Sequence, residues 1–545
     1  MNACKVLLVA ALLLVSCAPL QPPTTAPASD TSVATPGAPA LTSTVGPAAE
    51  AWTPESADRP PITAAPLEPP DRIAPLFGPA WGDRQVYRSG LVTGEHGVLA
   101  GLPGASEYRI DLNIGESFTI IDGRQQVYYT NREEVPLDRI FLRLFPNALG
   151  GEMVVSAVQV GGIEVGTEYR FERTALEVLL PQPLVPGQSA VLALDYRITA
   201  PETLDKGYGL ISYTRDILAL DTPYAAIPVY DDEGWNVETP PANADTSYND
   251  ASFYLVRVTA PAAIELVATG VAVDQERGSV AQTVTFALGP ARDFFIAGST
   301  RYVSRTAQLG ETQVNSYALE GEEEAAGVAL DAAVNALRIF EQRFGTYPYT
   351  ELDVAATPML ALGIEYPGTV GISEKVYDPG ENPDRRRQVQ VLESTVAHEV
   401  AHQWFYNLAG NDQVDEPWLD EAAAEYLMCT YFLDRYGQEA AQGCRESWEA
   451  RWDRVDRLPK AVGLPAGEYE PKEYSPIVYG RGPLFLAALA DRMGQQVFDQ
   501  FLAGYVAHFR WEIATAADFR SMAEDACGCE LDDLYREWLD PAAVD

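Results

Sequence analysis

The chain reads as a multidomain α+β protein: an N-terminal antiparallel β domain, a sandwich or saddle-like sheet, followed by a mixed domain of helices and strands. Three observations predict this. From about residue 105 to 302, short runs that alternate apolar and polar residues recur between Gly and Pro turns, as strands with one buried face do. After about 303 the apolar spacing becomes helical, interrupted by the strand-like run Leu352-Asp353-Val354-Ala355-Ala356. Beyond a polar N-terminal stretch, roughly 470 residues remain, enough for two or three cores.

Taken in order, the first element is an address. Lys5 precedes an apolar run, residues 6–15, that is too short to span a bilayer as a helix. It ends in Leu14-Val15-Ser16-Cys17, which resembles the lipobox of bacterial lipoprotein signal peptides. The resemblance implies that 1–17 is a signal peptide, that Cys17 is lipidated, and that the chain is exported and tethered to a bacterial membrane by its lipid. Residues 18–75 are rich in Pro, Ala, Thr and Ser and are expected to form a disordered linker, since they cannot bury a core. The β domain is expected over 76–302, with strands at 108–114, 126–130, 140–144 and 254–258. The mixed domain is expected over 303–545, opening on a helix at 322–344.

The net charge is −40, from 38 basic and 78 acidic residues. Such a polyanion should bind no nucleic acid and should repel anionic headgroups. It mildly favours cationic amines as substrates, within a screening length of about 8–10 Å. No later apolar stretch reaches the roughly 18 residues of a membrane-spanning helix. Cys429, Cys444, Cys527 and Cys529 follow the signal, and in an exported protein four cysteines allow three pairings. A Cys429–Cys444 bridge between neighbouring helices is one of them, whereas only Gly528 separates Cys527 from Cys529, which predicts strain in a bond between those two.

The chemistry is carried by His398-Glu399-Val400-Ala401-His402, which holds two of the chain's four histidines. Histidines at i and i+4 share one helix face and can hold one zinc, while the intervening Glu399 can act on a water. A catalytic zinc takes three protein ligands. The third candidate is Glu421, in Glu416-Pro417-Trp418-Leu419-Asp420-Glu421. Pro417 suits the first turn of a helix that should run to Gly437, with Gly410-Asn411-Asp412 turning the chain between the two helices. Glu425 shares the face of Glu421 and can orient a ligating histidine through its second ring nitrogen. His96 and His508 fall outside any ligand spacing and read as structural.

The motif residues Val396-Ala397-His398-Glu399-Val400-Ala401-His402-Gln403-Trp404-Phe405, with Trp418-Leu419-Asp420-Glu421, resemble the aminopeptidase N and leukotriene hydrolase family of zinc peptidases. The resemblance implies one zinc per chain on His398, His402 and Glu421, a thermolysin-like catalytic domain, and Glu399 as general base. It assigns Glu365 and Gly363, in Leu362-Gly363-Ile364-Glu365-Tyr366, to substrate binding, Glu365 holding the free α-amine. It makes Tyr479, in Tyr479-Gly480-Arg481-Gly482, the donor to the carbonyl oxygen. The β domain is implied to lend cleft residues, for which 223–235 is the candidate. Too few residues follow Tyr479 for the long helical domain of larger members, so a more open cleft is expected. Departures are Leu362 for glycine, Tyr366 and Asp420 for asparagine, Tyr406 for glycine and Arg481 for lysine.

The function read from this set is a zinc-dependent aminopeptidase acting on peptides with a free N-terminus. The alternatives are a zinc hydrolase cutting internal or non-peptide bonds, and a surface lipoprotein that binds peptides without catalysis.

Overall fold

Alternation along single strands explains the first half of the molecule. In Ile120–Thr130, residues 121, 123, 125, 127 and 129 are buried and their neighbours are not, so one face meets the core and the other meets solvent. The structure, a computed structural model, describes residues 73–204, 208–239, 241, 244–245, 247–378 and 385–540. The signal segment, Cys17 and nearly all of the 18–75 linker lie outside the described residues.

Eight strands form the main sheet, in the order Val271–Arg277, Ala281–Ala291, Ser252–Pro261, Glu107–Ile114, Ile120–Thr130, Ser189–Thr199, Glu152–Val160 and Ile163–Glu164. All its pairings are antiparallel except Glu107–Ile114 with Ser252–Pro261, which run parallel. The expected antiparallel sheet is therefore mixed. Ile120–Thr130 pairs with one side of Glu107–Ile114 directly, but the parallel neighbour on the other side, Ser252–Pro261, arrives only after several other strands, a crossover that periodicity does not encode. A smaller sheet has the order Glu265–Ala268, Phe295–Ser299, Ile217–Asp221, Ile211–Thr214.

A five-stranded sheet follows, ordered Tyr302–Leu309, Thr312–Leu319, Glu351–Thr357, Thr369–Ser373 and Gly363–Tyr366. Helix α1 (Glu323–Phe344) turns Ala326, Ala329, Ala333, Ala336, Leu337 and Phe340 inward, a stripe at helical spacing whose small residues allow close approach. It packs on this sheet and on helix α2 (Arg385–Ala401), which in turn packs on α3 (Trp418–Tyr436). Gly437, at φ 87°, ends α3. Unusually for a helix, α3 buries three carboxylates, Asp420, Glu421 and Glu425, and buried acids need partners.

Cys429 is bonded to Cys444, tying α3 to the next helix, and Cys527 is bonded to Cys529. The second pair closes because Gly528 takes a left-handed conformation, φ 58°, at the end of helix Ala516–Cys527. No helix among the described residues is long and apolar enough to cross a membrane.

Candidate active site

Helix α2 ends at Ala401, so His398 and Glu399 occupy its last turn and His402 is the first residue beyond it. The two imidazoles face Glu421 on the first turn of α3. His398 Nε2 lies 3.2 Å from Glu421 Oε2 and 3.3 Å from His402 Nε2, and His402 Nε2 lies 3.5 Å from Glu421 Oε2. Donors held about 2.0–2.1 Å from a tetrahedral zinc stand about 3.3–3.4 Å apart. The triangle fits that ion, and two nitrogens with one carboxylate oxygen are the donor set of a catalytic zinc.

Each of the three candidate ligands is braced from behind. Glu425 Oε2 stands 3.2 Å from His398 Nδ1, and Arg451 Nη2 stands 3.5 Å from Glu425 Oε1, all three residues buried. His402 Nδ1 meets the Phe405 carbonyl at 3.1 Å. Both contacts leave Nε2 as the metal-facing nitrogen. The Tyr479 hydroxyl donates to Glu421 Oε1 at 2.5 Å, from a π-helical turn, Ile477–Arg481. Burial opposes charge on Glu421, yet its hydrogen bonds with the two histidines hold it well below the usual carboxylate range.

Glu399 is fully buried, and neither carboxylate oxygen has a hydrogen-bond partner among the described residues. Burial pushes its carboxyl up, to about 8. It lies against Gly363, where a Cβ would fall on the Glu399 carboxylate. Gly363 thus seats the Glu399 carboxylate. Replacing Gly363 by alanine is expected to displace Glu399, lowering kcat at least tenfold and stability by about 1–3 kcal/mol. Parental turnover in that variant would overturn this strand-to-helix register.

On the same strand, Glu365 is buried and its Oε1 accepts from Gln413 Nε2 at 2.7 Å. Single ligand atoms of Glu365, Glu399 and His402 lie within 4.8 Å of one another. Gln413 Nε2 also donates to Asp420 Oδ2 at 2.7 Å, which gives the aspartate at the family's asparagine position a partner. Tyr366 stacks on Phe295, ring centroids 4.2 Å apart, and lines the same small cavity as Asp221. Arg481 donates to the carbonyls of Lys460, Trp538 and Glu537 and lies over the Trp452 and Trp538 rings.

Sequence reasoning missed Asp245. This buried residue abuts Glu421, and together with Asp221, Glu365 and Gln413 it lines a small cavity beside the ligands. Burial, then the charges of Glu365 and Glu421, push its carboxyl well above the ordinary range. Nothing in its polar, aperiodic stretch marks it. Within 223–235, Ala225 pairs with the Gln125 side chain and Ala226 with the Arg143 backbone. His96 bonds the Leu91 carbonyl at 3.1 Å and His508 packs on Phe509, away from the ligands, as expected.

Residues 328–538 match the Peptidase family M1 domain. The segment that matches this peptidase domain is the one that carries His398, Glu399, His402, Glu421 and Tyr479. Aminopeptidase M1-B of Oryza sativa subsp. japonica is 28% identical over 259 residues, covering 45% of this chain and 28% of that protein. Probable aminopeptidase 2 of Sulfurisphaera tokodaii is 25% identical over 239 residues, covering 43% and 30%. The chain thus spans less than a third of the length of these curated relatives. The M1 zinc metallopeptidase of Deinococcus radiodurans superposes with a TM-score of 0.58 at 23% identity, covering 81% of this chain and 94% of that one. A mutant of it bound to a Tyr-Ser-Ala substrate gives 0.58 at 24%, covering 81% and 96%. The two-part fold is therefore shared with that metallopeptidase.

Proposed function

We propose that the protein is a zinc-dependent aminopeptidase, with one zinc per chain, acting on peptides with a free N-terminus. The observation that carries this reading is the placement of Glu365, a buried carboxylate fixed by Gln413 and grouped with Glu399 and His402. An ammonium paired there sets the first peptide bond, and no later one, against the ligand triangle. Asp245 adds a second carboxylate to the same cavity. The rice and Sulfurisphaera relatives are named aminopeptidases, and the Deinococcus mutant holds a tripeptide, which supports the reading.

His398, His402 and Glu421 would hold the zinc, which when bound would supply Lewis acidity and a water of lowered pKa, about 7. Glu399 takes the proton that the attacking water gives up and passes it to the departing amine. Tyr479 donates its hydroxyl to the carbonyl oxygen as negative charge builds there, turning from Glu421 to do so. Tyr479→Phe is expected to lower kcat by about 10²–10³-fold with KM nearly unchanged; steady-state kinetics check this, and an unaltered kcat removes Tyr479 from the reaction.

The β part, 76–302, and the catalytic part, 303–545, close the cleft jointly through Asp221, Asp245 and Glu365. The enzyme works outside the cytoplasm, anchored by lipid at Cys17. The support for this address is residues 6–15 followed by Leu14-Val15-Ser16-Cys17. The activity is tested by comparing an aminoacyl reporter with its amine-acetylated form: equal cleavage of the two overturns the exopeptidase assignment.

A further inference from the structure

After His402 the chain does not continue α2 but doubles back on itself. Asn407 N–H donates to the His402 carbonyl at 3.0 Å, Ala409 N–H to Trp404 at 3.0 Å, and Tyr406 N–H to Ala409 at 2.9 Å. Inside this turn Tyr406 has φ 114°, a conformation that costs a residue bearing a Cβ. Rotation about N–Cα of Tyr406 aims the preceding peptide group. Its positive φ is therefore part of what turns the Phe405 carbonyl onto His402 Nδ1, 3.1 Å away.

Two adjacent residues of the β part hold that conformation. The Tyr406 hydroxyl donates to Asp293 Oδ2 in a short, buried hydrogen bond. Arg292, 2% exposed, spends its whole fork on carbonyls. Nε donates to Tyr406 at 2.6 Å and Asn407 at 3.1 Å, and Nη2 to Leu408 at 3.4 Å and Glu512 at 2.7 Å, while Nη1 reaches Asn249 at 3.0 Å. Gly410 passes so close that a Cβ there would fall on the guanidinium. A third tie runs from Asn407 Nδ2 to the Tyr349 hydroxyl at 3.1 Å, which donates to the Pro290 carbonyl at 2.7 Å.

Burying a guanidinium is costly, and an apolar side chain would pack as well. What the planar fork adds is direction: it fixes successive carbonyls of one turn in place. We propose that Arg292 and Asp293 are positioning residues for His402, clamping the turn after the motif so that the Phe405 carbonyl orients the imidazole. The β part then tunes metal affinity without touching the ion. This inference rests on the reading of His402 as a zinc ligand.

The test is equilibrium competition for zinc between the purified full chain and a chromophoric chelator, with thermal unfolding of each metal-free protein measured alongside. Tyr406→Phe and Arg292→Lys are expected to weaken zinc binding 10- to 100-fold, the usual cost of losing a group that orients a ligand. Tyr196→Phe is the control: it removes another buried hydroxyl, one that donates to the Pro223 carbonyl at 2.7 Å within the β sheets, and should leave zinc affinity unchanged. Should Arg292→Lys fail to fold, Tyr406→Phe alone decides. The proposal is overturned if zinc affinity in Tyr406→Phe stays within twofold of the parent. It is equally overturned if Tyr196→Phe weakens zinc as much, because affinity would then follow general stability. A parent chain that binds no zinc would instead overturn the ligand reading itself.

Discussion

Glu399→Gln is expected to lower kcat by at least about 10²–10⁴-fold while leaving zinc bound. The substitution keeps the shape that packs against Gly363, where no Cβ is tolerated, and it leaves His398, His402 and Glu421 with their partners. It removes only the ability to take and return a proton. The buried carboxylate has no hydrogen-bond partner among the described residues, so the amide breaks no bond that holds the fold. Unfolding temperature should therefore hold or rise, since a buried, partnerless acid is itself destabilising. Metal analysis and steady-state kinetics on the same sample check both halves. Turnover within tenfold of the parent would sink the general-base assignment, whereas loss of zinc would mean that Glu399 supports the ligands.

The second large effect concerns the free amine. Acetylating the α-amine of an aminoacyl reporter is expected to lower kcat/KM by about 10- to 150-fold, the equivalent of a charge-assisted hydrogen bond worth about 1.5–3 kcal/mol. Glu365→Gln should bring the free-amine reporter down toward the acetylated one and compress the difference between them. The reason is electrostatic. Glu365 and Glu421 are both buried, and buried carboxylates that carry charge need cations to match them. Zinc supplies one and a terminal ammonium the other. Equal cleavage of the acetylated reporter by the parent would leave a working metal site with no amine anchor, the signature of a broader hydrolase.

Much of this was legible in the residues. Helix α3 stops at Gly437, and helix α1 starts and ends within a residue of the expected span, because both rest on local periodicity and on glycine. Helix α2 was legible at its motif and ends one residue earlier than the spacing suggests, at Ala401, since the turn after it is set by Arg292. The parallel pair in the main sheet was not legible: alternation gives a strand's faces and says nothing of its neighbour's direction. Tyr406 stood out only as a departure from glycine. Its cause, the bond to Asp293, lies more than a hundred residues away in the chain.

Local spacing was enough to single out His398, His402 and Glu421 as candidate ligands, Glu399 as candidate base and the helices that carry them, because i and i+4 spacing and end signals act over a few residues. The tertiary structure alone decided the rest: that Gly363 seats Glu399, that Gln413 fixes Glu365, that Asp245 enters the cleft from the β part, and that Arg292 holds the turn behind His402. Each of these is a contact between side chains or carbonyls that only the packing of separate elements brings within hydrogen-bond or van der Waals reach.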